Sequence, residues 1–291
     1  MKTRFIVNPH SGGAHRVLFR VQTFAATLGA EVDVTTHPRH ASALAARALD
    51  DGCELIVAVG GDGTLNEVAA RLVHTPATLG LIPCGSGNGL GRHLGIHGPV
   101  EHSLEILRTG HPRLIDTGLA DGHPFFTAAG LGFEAEVAAQ FNQLTHRGLL
   151  RYFTTSARLW RTWAPQDCWI EEGEHRTEVQ AFTVAVANSD QYGNHAFIAP
   201  GARVDDGLLD LTVVPRVTVW NALPLLARLF SGSIGRAGGV LRLQGPDFVV
   251  VRPAPGLIHT DGETHQAGAR IEFVAQPRSL RVLAPTDVTA R

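Results

Sequence analysis

A run of five apolar residues, Leu55 to Val59, passes straight into Gly60-Gly61-Asp62-Gly63-Thr64 and then into Leu65-Asn66-Glu67-Val68. Apolar side chains on both faces describe a strand covered above and below, and the glycine-bearing break that follows turns the chain into a helix. Neighbouring residues repeat this alternation. Phe5 to Val7 is a short apolar strand closed by the turn-forming stretch Asn8-Pro9-His10-Ser11-Gly12-Gly13. Val17, Phe19/Arg20, Val21, Phe24 and Leu28 lie near helical spacing, so a helix is expected from about Arg16 to Leu28. Glu31 to Thr36 alternates as a strand, Ala41 to Leu49 reads as a helix and Leu79 to Ile82 as a strand. Strands alternating with helices imply a parallel sheet with helices on both faces.

Past about Asp121 the texture becomes β-rich, with Glu178 to Ala187, Leu208 to Val214, Phe248 to Arg252 and Ala269 to Val274 as strand candidates of a mainly antiparallel second domain. Leu280 to Leu283 is expected to return to the first domain as its final strand. The expected division is therefore residues 1–121 with 276–291, and residues 122–275. A chain of 291 residues is long for one core, which fits two. With 44% hydrophobic and 18% charged residues and a formal charge of −2, it has the balance of a globular protein rather than a disordered or nucleic-acid-coating one. Cys53, Cys84 and Cys168 form no CxxC pair and no disulfide framework, so a reducing cytoplasm is expected. The opening Met1-Lys2-Thr3-Arg4-Phe5-Ile6-Val7-Asn8-Pro9 breaks its apolar run after three residues, too few for a signal-peptide core or a membrane span. Membrane contact is expected to be peripheral, at the inner face.

The chemistry concentrates in the loop after Val59. Glycines let main-chain N–H groups approach a phosphate, and a helix N-terminus adds the positive end of its dipole. An ordinary sharp strand-to-helix turn would also use glycines, but it has no need of Asp62, whose carboxylate is unfavourable among anion-binding groups without a cation or proton to compensate it. Neither GxxxxGK[ST] nor GxGxxG is present, which excludes the P-loop and dinucleotide fingerprints.

Gly60-Gly61-Asp62-Gly63-Thr64 with Asn66-Glu67 resembles the signature of the diacylglycerol kinase catalytic-domain family, which includes sphingosine, ceramide and bacterial lipid kinases. Asn8-Pro9 with Ser11-Gly12 resembles that family's opening loop, and Pro83-Cys84-Gly85-Ser86-Gly87-Asn88 its second nucleotide-proximal loop. Asp206-Gly207-Leu208-Leu209-Asp210 and Asp261-Gly262-Glu263 resemble its two C-terminal acidic motifs. The resemblance implies an N-terminal α/β nucleotide-binding domain, like that of NAD kinase and diacylglycerol kinase, and a C-terminal β-sandwich-like domain, with ATP and lipid meeting between them. Carried over residue by residue, Gly60, Gly61, Asp62, Gly63, Thr64, Leu65 and Asn66 hold phosphates, with Asn8 in the opening loop. Ser86 contacts the nucleotide, and Thr35 lies near it, Thr36 being an equal register. Glu263 matches the proton acceptor and Asp261 its acidic neighbour, with Asp62 the rival base. Arg203, Asp206 and Leu208 match a structural Mg²⁺ site in which Arg203 and Leu208 give carbonyls. The second loop departs from the family's common Gly-Thr-x-Asn-Asp-Phe-Ala form, having Gly85-Ser86-Gly87-Asn88-Gly89-Leu90-Gly91, which leaves the lipid unassigned.

Phosphoryl transfer itself needs in-line positioning, Mg²⁺ on the phosphates and a carboxylate at the attacking hydroxyl. Asp62, Asp261 and Glu263 sit in glycine-bearing turns that fit this division of labour, although Asp-Gly-Glu and Asp206-Gly207 are also hairpin-turn sequences. Two apolar stripes bear on a lipid partner. At about 100° per residue, Leu149, Tyr152, Phe153, Trp160 and Trp163 share one face, with Arg147, Arg151, Arg158 and Arg161 opposite, which suits either an anionic bilayer or packing on the second domain. Leu223, Leu226, Leu229 and Phe230 line either a lipid pocket or the core. Of His93, His97 and His102, or His259 and His265, His93 and His97 are helically spaced but lack a glutamate in the zinc-protease position, and all read as structural or surface residues. The expected function is ATP- and Mg²⁺-dependent phosphorylation of a diacylglycerol- or sphingosine-like lipid at the membrane surface, with no nucleic acid and with a homodimer left open. NAD kinase, which shares the Gly-Gly-Asp-Gly-Thr loop, and a non-catalytic lipid- or nucleotide-binding regulator are the competing readings.

Overall fold

The computed structural model describes residues 1–143 and 149–285, the side chains of 149–153 excepted. It divides into two compact units, Met1–Asp116 with Arg278–Arg291, and Thr117–Pro277.

The first unit begins with β1 (Thr3–Val7), α1 (Ala14–Thr27), β2 (Glu31–Val34), α2 (His40–Asp50), β3 (Leu55–Gly60), α3 (Asp62–Leu72) and β4 (Thr78–Pro83), followed by the short α4 (Gly89–His93) and α5 (Val100–Thr109). β1 pairs in parallel with β2 on one side and β3 on the other, and β3 pairs in parallel with β4. The chain thus leaves β1 in one direction and crosses back over it to make β3. Right-handed crossovers in opposite directions put successive helices on opposite faces, and α1 packs with α5 while α2 packs with α3. Phe5, Val7, Leu55, Val57 and Val59 meet Val21 and Ala25 of α1 and Val100 and Leu107 of α5. Arg4, buried in β1, is held at 2.8, 2.9 and 3.1 Å by Glu31, Asp33 and Asp51, so its buried charge is paired.

β5 (His111–Ala120) leads into the second unit, which comprises β6 (His123–Phe125), β7 (Ala128–Gly132), α6 (Phe133–Asn142), α7 (Leu149–Trp160), β8 (Gln166–Glu172), β9 (His175–Ala181), β10 (Thr183–Ala187), β11 (Leu209–Val214), α8 (Ala222–Phe230), β12 (Leu241–Gly245), β13 (Asp247–Val251), β14 (Gly256–Thr260), β15 (Glu263–Ala267) and the start of β16 (Arg270–Ala284). One antiparallel sheet has the order β12-β11-β10-β7-β14-β15, and the other runs β16-β13-β8-β9. Leu131, Val184, Val186, Leu211 and Ile258 of the first pack against Ile170, Phe248, Val250, Ile271 and Phe273 of the second, which is the sandwich core. The mixed α/β layout followed by a β-sandwich-like unit is the fold class expected from the sequence.

Several elements differ from expectation. Glu178 to Ala187 is two strands in different sheets, because the chain changes sheets at Phe182, whose N–H is taken by Val214 O at 2.8 Å. Ala269 to Val274 and Leu280 to Leu283 belong to one strand, β16, whose residues 270–274 pair with β13 while Arg281 and Val282 pair in parallel with β4. Trp160 Nε1 at the end of α7 donates to Val217 O, and Trp163 Nε1 just past it to Phe182 O, both at 3.0 Å, so these rings pack on their own unit, with Arg158 and Arg161 exposed. Arg147 and the side chains of Leu149, Arg151, Tyr152 and Phe153 lie outside the described residues. The core alternative for the α8 stripe is overturned: Leu223, Leu226 and Phe230 are exposed, and only Leu229 packs inward, beside Ile198 and Ala202.

Candidate functional site

In an open parallel sheet, ligands bind beyond the carboxyl ends of the strands where the chain reverses direction across the sheet. Here that position is the ends of β1 and β3, and three loops converge there. The first follows β1: Asn8 N–H donates to Val59 O at 3.0 Å, and Asn8 Nδ2 donates to Thr64 Oγ1 at 3.0 Å. The second follows β3, where Gly61 N–H donates to Ser11 Oγ at 2.6 Å. The third follows β4, and Gly13 N–H donates to Cys84 O at 2.9 Å.

Glycine is required where these loops touch. Gly12 has φ +53°, and a Cβ there would lie 1.9 Å from Cys84 O. A Cβ on Gly85 would lie 2.7 Å from Gly61 Cα, so only two glycines permit this approach. Gly13 and Gly63 are different, since a Cβ on either would meet nothing within 4 Å. At the start of α1 the N–H groups of Gly13, Ala14 and Arg16 are already taken, by Cys84 O, Ser11 O and Gly13 O, whereas Gly63 is the second residue of α3, where main-chain N–H groups lack intrahelical partners. That is the geometry of an anion cradle.

Asp62, the first residue of α3, points across to the third loop: its carboxylate accepts Asn88 N–H at 2.8 Å and Gly89 N–H at 2.9 Å. Asn88 holds a left-handed conformation, φ 54°, and closes the loop on itself through Gly85 N–H at 3.0 Å and Gly85 O at 2.7 Å. Asp62 and Asn88 join Gly60, Gly61, Leu65 and Ile82 in lining a small recess under the loops. Asn66 Oδ1 is buried without a hydrogen-bond partner among the described residues, a costly state that a ligand or water relieves. Ser86 is exposed at the loop tip. Thr35 is buried after β2 with its N–H on Val7 O at 2.9 Å, while exposed Thr36 contacts His40 Nδ1 through both N–H and Oγ1. Burial raises the Cys84 thiol to about 11, so it stays protonated and is no nucleophile at neutral pH.

In the second unit Asp261 and Gly262, φ 49° and 88°, form the tight turn of the β14–β15 hairpin, and Glu263 is exposed at the start of β15 opposite Thr260. Asp261 accepts three main-chain N–H groups, from Phe126 at 2.7 Å, Thr127 at 2.8 Å and Ala128 at 2.9 Å. Gly262 O accepts Asn142 Nδ2 of α6 at 2.8 Å, and Gly262 N–H donates to His259 Nδ1 at 3.3 Å. His259 Nε2 lies 3.3 Å from Glu134 Oε1, and both atoms are buried without a hydrogen-bond partner among the described residues. Glu134 in turn accepts the Tyr192 hydroxyl. Sequence reasoning missed Glu134, Tyr192 and the burial of His259, since α6, β14 and the loop carrying Tyr192 meet only in the fold. His265 Nε2 lies 2.8 Å from Thr260 Oγ1 and its ring stacks on His123.

Of the proposed metal residues, exposed Asp206 accepts Leu208 N–H at 3.1 Å through Oδ1, and Arg203 Nε pairs with Asp205 at 3.2 Å. Asp210, two residues past Leu208, is buried; desolvation raises its pKa against the opposing pull of Arg242 at 2.8 Å. No group of three or more His, Cys, Asp or Glu side chains placed to hold a metal occurs among the described residues.

Residues 2–120 match the diacylglycerol kinase catalytic domain, and residues 127–284 match the YegS C-terminal NAD kinase beta sandwich-like domain. A Pseudomonas fluorescens protein named Probable lipid kinase YegS-like is 31% identical over 270 residues, covering 88% of this chain and 86% of its own. An uncharacterized Synechocystis protein is 30% identical over 245 residues, 81% of this chain, which spans 56% of that relative's length. The fold is shared with a solved diacylglycerol kinase from Bacillus anthracis at a TM-score of 0.76 and 18% identity, over 99% of this chain and 98% of that one. With both domains matched in order and a relative aligned along most of its length, the chain belongs to the YegS-like lipid kinase family, a diacylglycerol kinase catalytic domain followed by its YegS-type β-sandwich domain.

Proposed function

We propose that the chain transfers the γ-phosphoryl group of ATP to a hydroxyl of a diacylglycerol- or sphingosine-like lipid. The observation that carries this reading is the convergence of three glycine-bearing loops at the carboxyl ends of β1 and β3, with the open Gly63 at the N-terminus of α3 and an Asn66 Oδ1 buried without a hydrogen-bond partner among the described residues. Those features fit a polyphosphate, and residues Asn8, Gly60 to Asn66 and Ser86 are assigned to it. Thr35, being buried, is assigned to shaping the loop after β2.

Glu263 is assigned the proton of the acceptor. Asp62 and Asp261 accept two and three main-chain N–H groups, which supports a loop-shaping part for both, whereas Glu263 stands exposed on the turn that the bonds of Asp261 hold. The lipid oxygen attacks the γ-phosphorus as its proton passes to Glu263, the bond to the β-phosphate oxygen breaks, and ADP leaves. Mg²⁺, when bound, neutralises phosphate charge. Arg203, Asp206 and Leu208 offer one carboxylate and two main-chain carbonyls, an oxygen-only set suited to a hard cation.

Radiolabelled phosphate transfer from ATP to diacylglycerol, monoacylglycerol, sphingosine, ceramide and NAD tests the proposal. Label in one or more of the lipids and none in NAD is expected. Label in NAD alone makes the chain an NAD kinase, and ATP binding with no transfer to any acceptor makes it a regulator.

Asp206→Ala removes the hydrogen bond to Leu208 N–H, so a stability loss of about 1 kcal/mol is expected with or without metal. The metal assignment is read elsewhere. The melting temperature of the parent rises with added Mg²⁺ and that of the variant does not, while ATP affinity is unchanged in both. A Mg²⁺ response that survives the substitution removes Asp206 from the metal site.

A further inference from the structure

α8 is built from Ala222-Leu223-Pro224-Leu225-Leu226-Ala227-Arg228-Leu229-Phe230, yet none of its residues is buried. Leu223, Leu226 and Phe230 fall within about 60° of one another at 100° per residue, on one face. Trp220 in the turn before the helix is 88% exposed and Leu223 75%, with Val219 exposed beside them. Soluble proteins rarely leave so many large apolar side chains together in water, and contiguous patches of this kind mark surfaces with a partner.

Charge identifies that partner. From Leu211 to Pro246 the sequence has four arginines, Arg216, Arg228, Arg236 and Arg242, and no Asp or Glu, in a chain whose net charge is −2. Arg242 is paired with Asp210. Arg216 and Arg236 are exposed, and Arg228 borders a recess beside α8 lined also by Asn221 and Ala237. A second copy of the chain meeting this face by two-fold symmetry would set these arginines against themselves. A bilayer containing anionic phospholipid offers what both halves of the surface require: acyl chains for Leu223, Leu226 and Phe230, the interfacial layer that indole prefers for Trp220, and phosphate for the arginines.

We infer that α8 and the turn before it, residues 216–230 with Arg236, form a docking surface for an anionic phospholipid bilayer, lying in the plane of the interface. The inference deepens the lipid-kinase reading, on which the choice of a bilayer as partner rests.

The test is sedimentation of the full chain with vesicles of phosphatidylcholine alone and with vesicles in which part of it is replaced by phosphatidylglycerol. Binding to the anionic vesicles is expected, weakened by salt, with a blue-shifted Trp emission that Trp220→Phe removes. Arg216→Gln with Arg236→Gln is expected to lower that binding roughly 30-fold. Leu223→Glu with Phe230→Glu is expected to abolish it, with folding checked by an unchanged melting curve since both side chains face water. Both double variants keep phosphoryl transfer to an acceptor dispersed in detergent micelles; on anionic vesicles transfer falls with binding for the arginine pair and is lost for Leu223→Glu with Phe230→Glu. A parent that binds neither vesicle, or double variants that bind like the parent, overturns the inference. So does a parent dimer that Leu223→Glu with Phe230→Glu dissociates in the absence of vesicle binding. Vesicle binding by a parent that phosphorylates no lipid leaves docking standing and overturns the kinase reading alone.

Discussion

Glu263→Gln lowers turnover on the lipid acceptor roughly 10²–10⁴-fold, the usual contribution of a positioned base, while ATP and lipid affinities stay near those of the parent. Glutamine keeps the shape and polarity of glutamate and loses the basicity. Its surroundings tolerate the change, since Glu263 is exposed and the turn beneath it is held by other groups: Asp261 on the N–H groups of residues 126–128, and Asn142 on Gly262 O. Single-turnover transfer together with separate ATP and lipid binding separates loss of chemistry from loss of affinity. Asp62→Asn is the control for the rival base. Its amide cannot accept from Asn88 and Gly89 with both terminal atoms as the carboxylate does, so it is expected to loosen the link between the second and third loops and weaken Mg·ATP binding. If Asp62→Asn instead stops turnover with ATP affinity intact and Glu263→Gln stays active, the base is Asp62.

Gly63→Asp is expected to weaken ATP binding by roughly 10²-fold or more, the effect of ~3 kcal/mol, by putting a carboxylate where phosphate is bound. The fold survives it. A Cβ at Gly63 has nothing within 4 Å, its backbone is helical, and an acidic residue in the first turn of a helix is favourable for the helix itself. The substitution therefore divides two effects that loop mutations commonly mix. An unchanged melting temperature with lost calorimetric ATP binding supports the cradle, and unchanged ATP affinity removes α3's N-terminus from the site. Gly85→Asp offers no such test, because its Cβ alone would meet Gly61 Cα at 2.7 Å and deform both loops.

What was legible in the sequence follows from how local its cause is. Leu55 to Val59 is apolar because both faces of β3 are covered, so its composition alone announced a central strand. β7, by contrast, reads Ala128-Ala129-Gly130-Leu131-Gly132 and carries little β-propensity. Its small residues answer to neighbours that the strand's own sequence does not reveal: a Cβ on Gly130 would lie 2.4 Å from Val184 O, 54 positions away, and 1.9 Å from Glu134 Oε1 of the following helix. The family resemblance was visible because its glycine blocks are contiguous. The reason Asp261 matters was not, since its three N–H partners lie at least 133 positions earlier. α8 marks a different limit. Its apolar stripe was plain in the sequence, but a stripe shows that something covers a helix face without saying whether that is the protein's own core or another molecule.

β16 has a consequence for the order in which the molecule can be made. Only Arg281 and Val282 at its far end pair with β4, whereas its beginning pairs with β13. On the ribosome β4 emerges some two hundred residues before the strand that covers it. During that interval the first unit carries a bare hydrogen-bonding edge beside Leu79 and Leu81, the kind of edge on which nascent chains pair wrongly with one another. The unit that starts first is completed last, and chains stopped before residue 281 release a first unit with that edge still open.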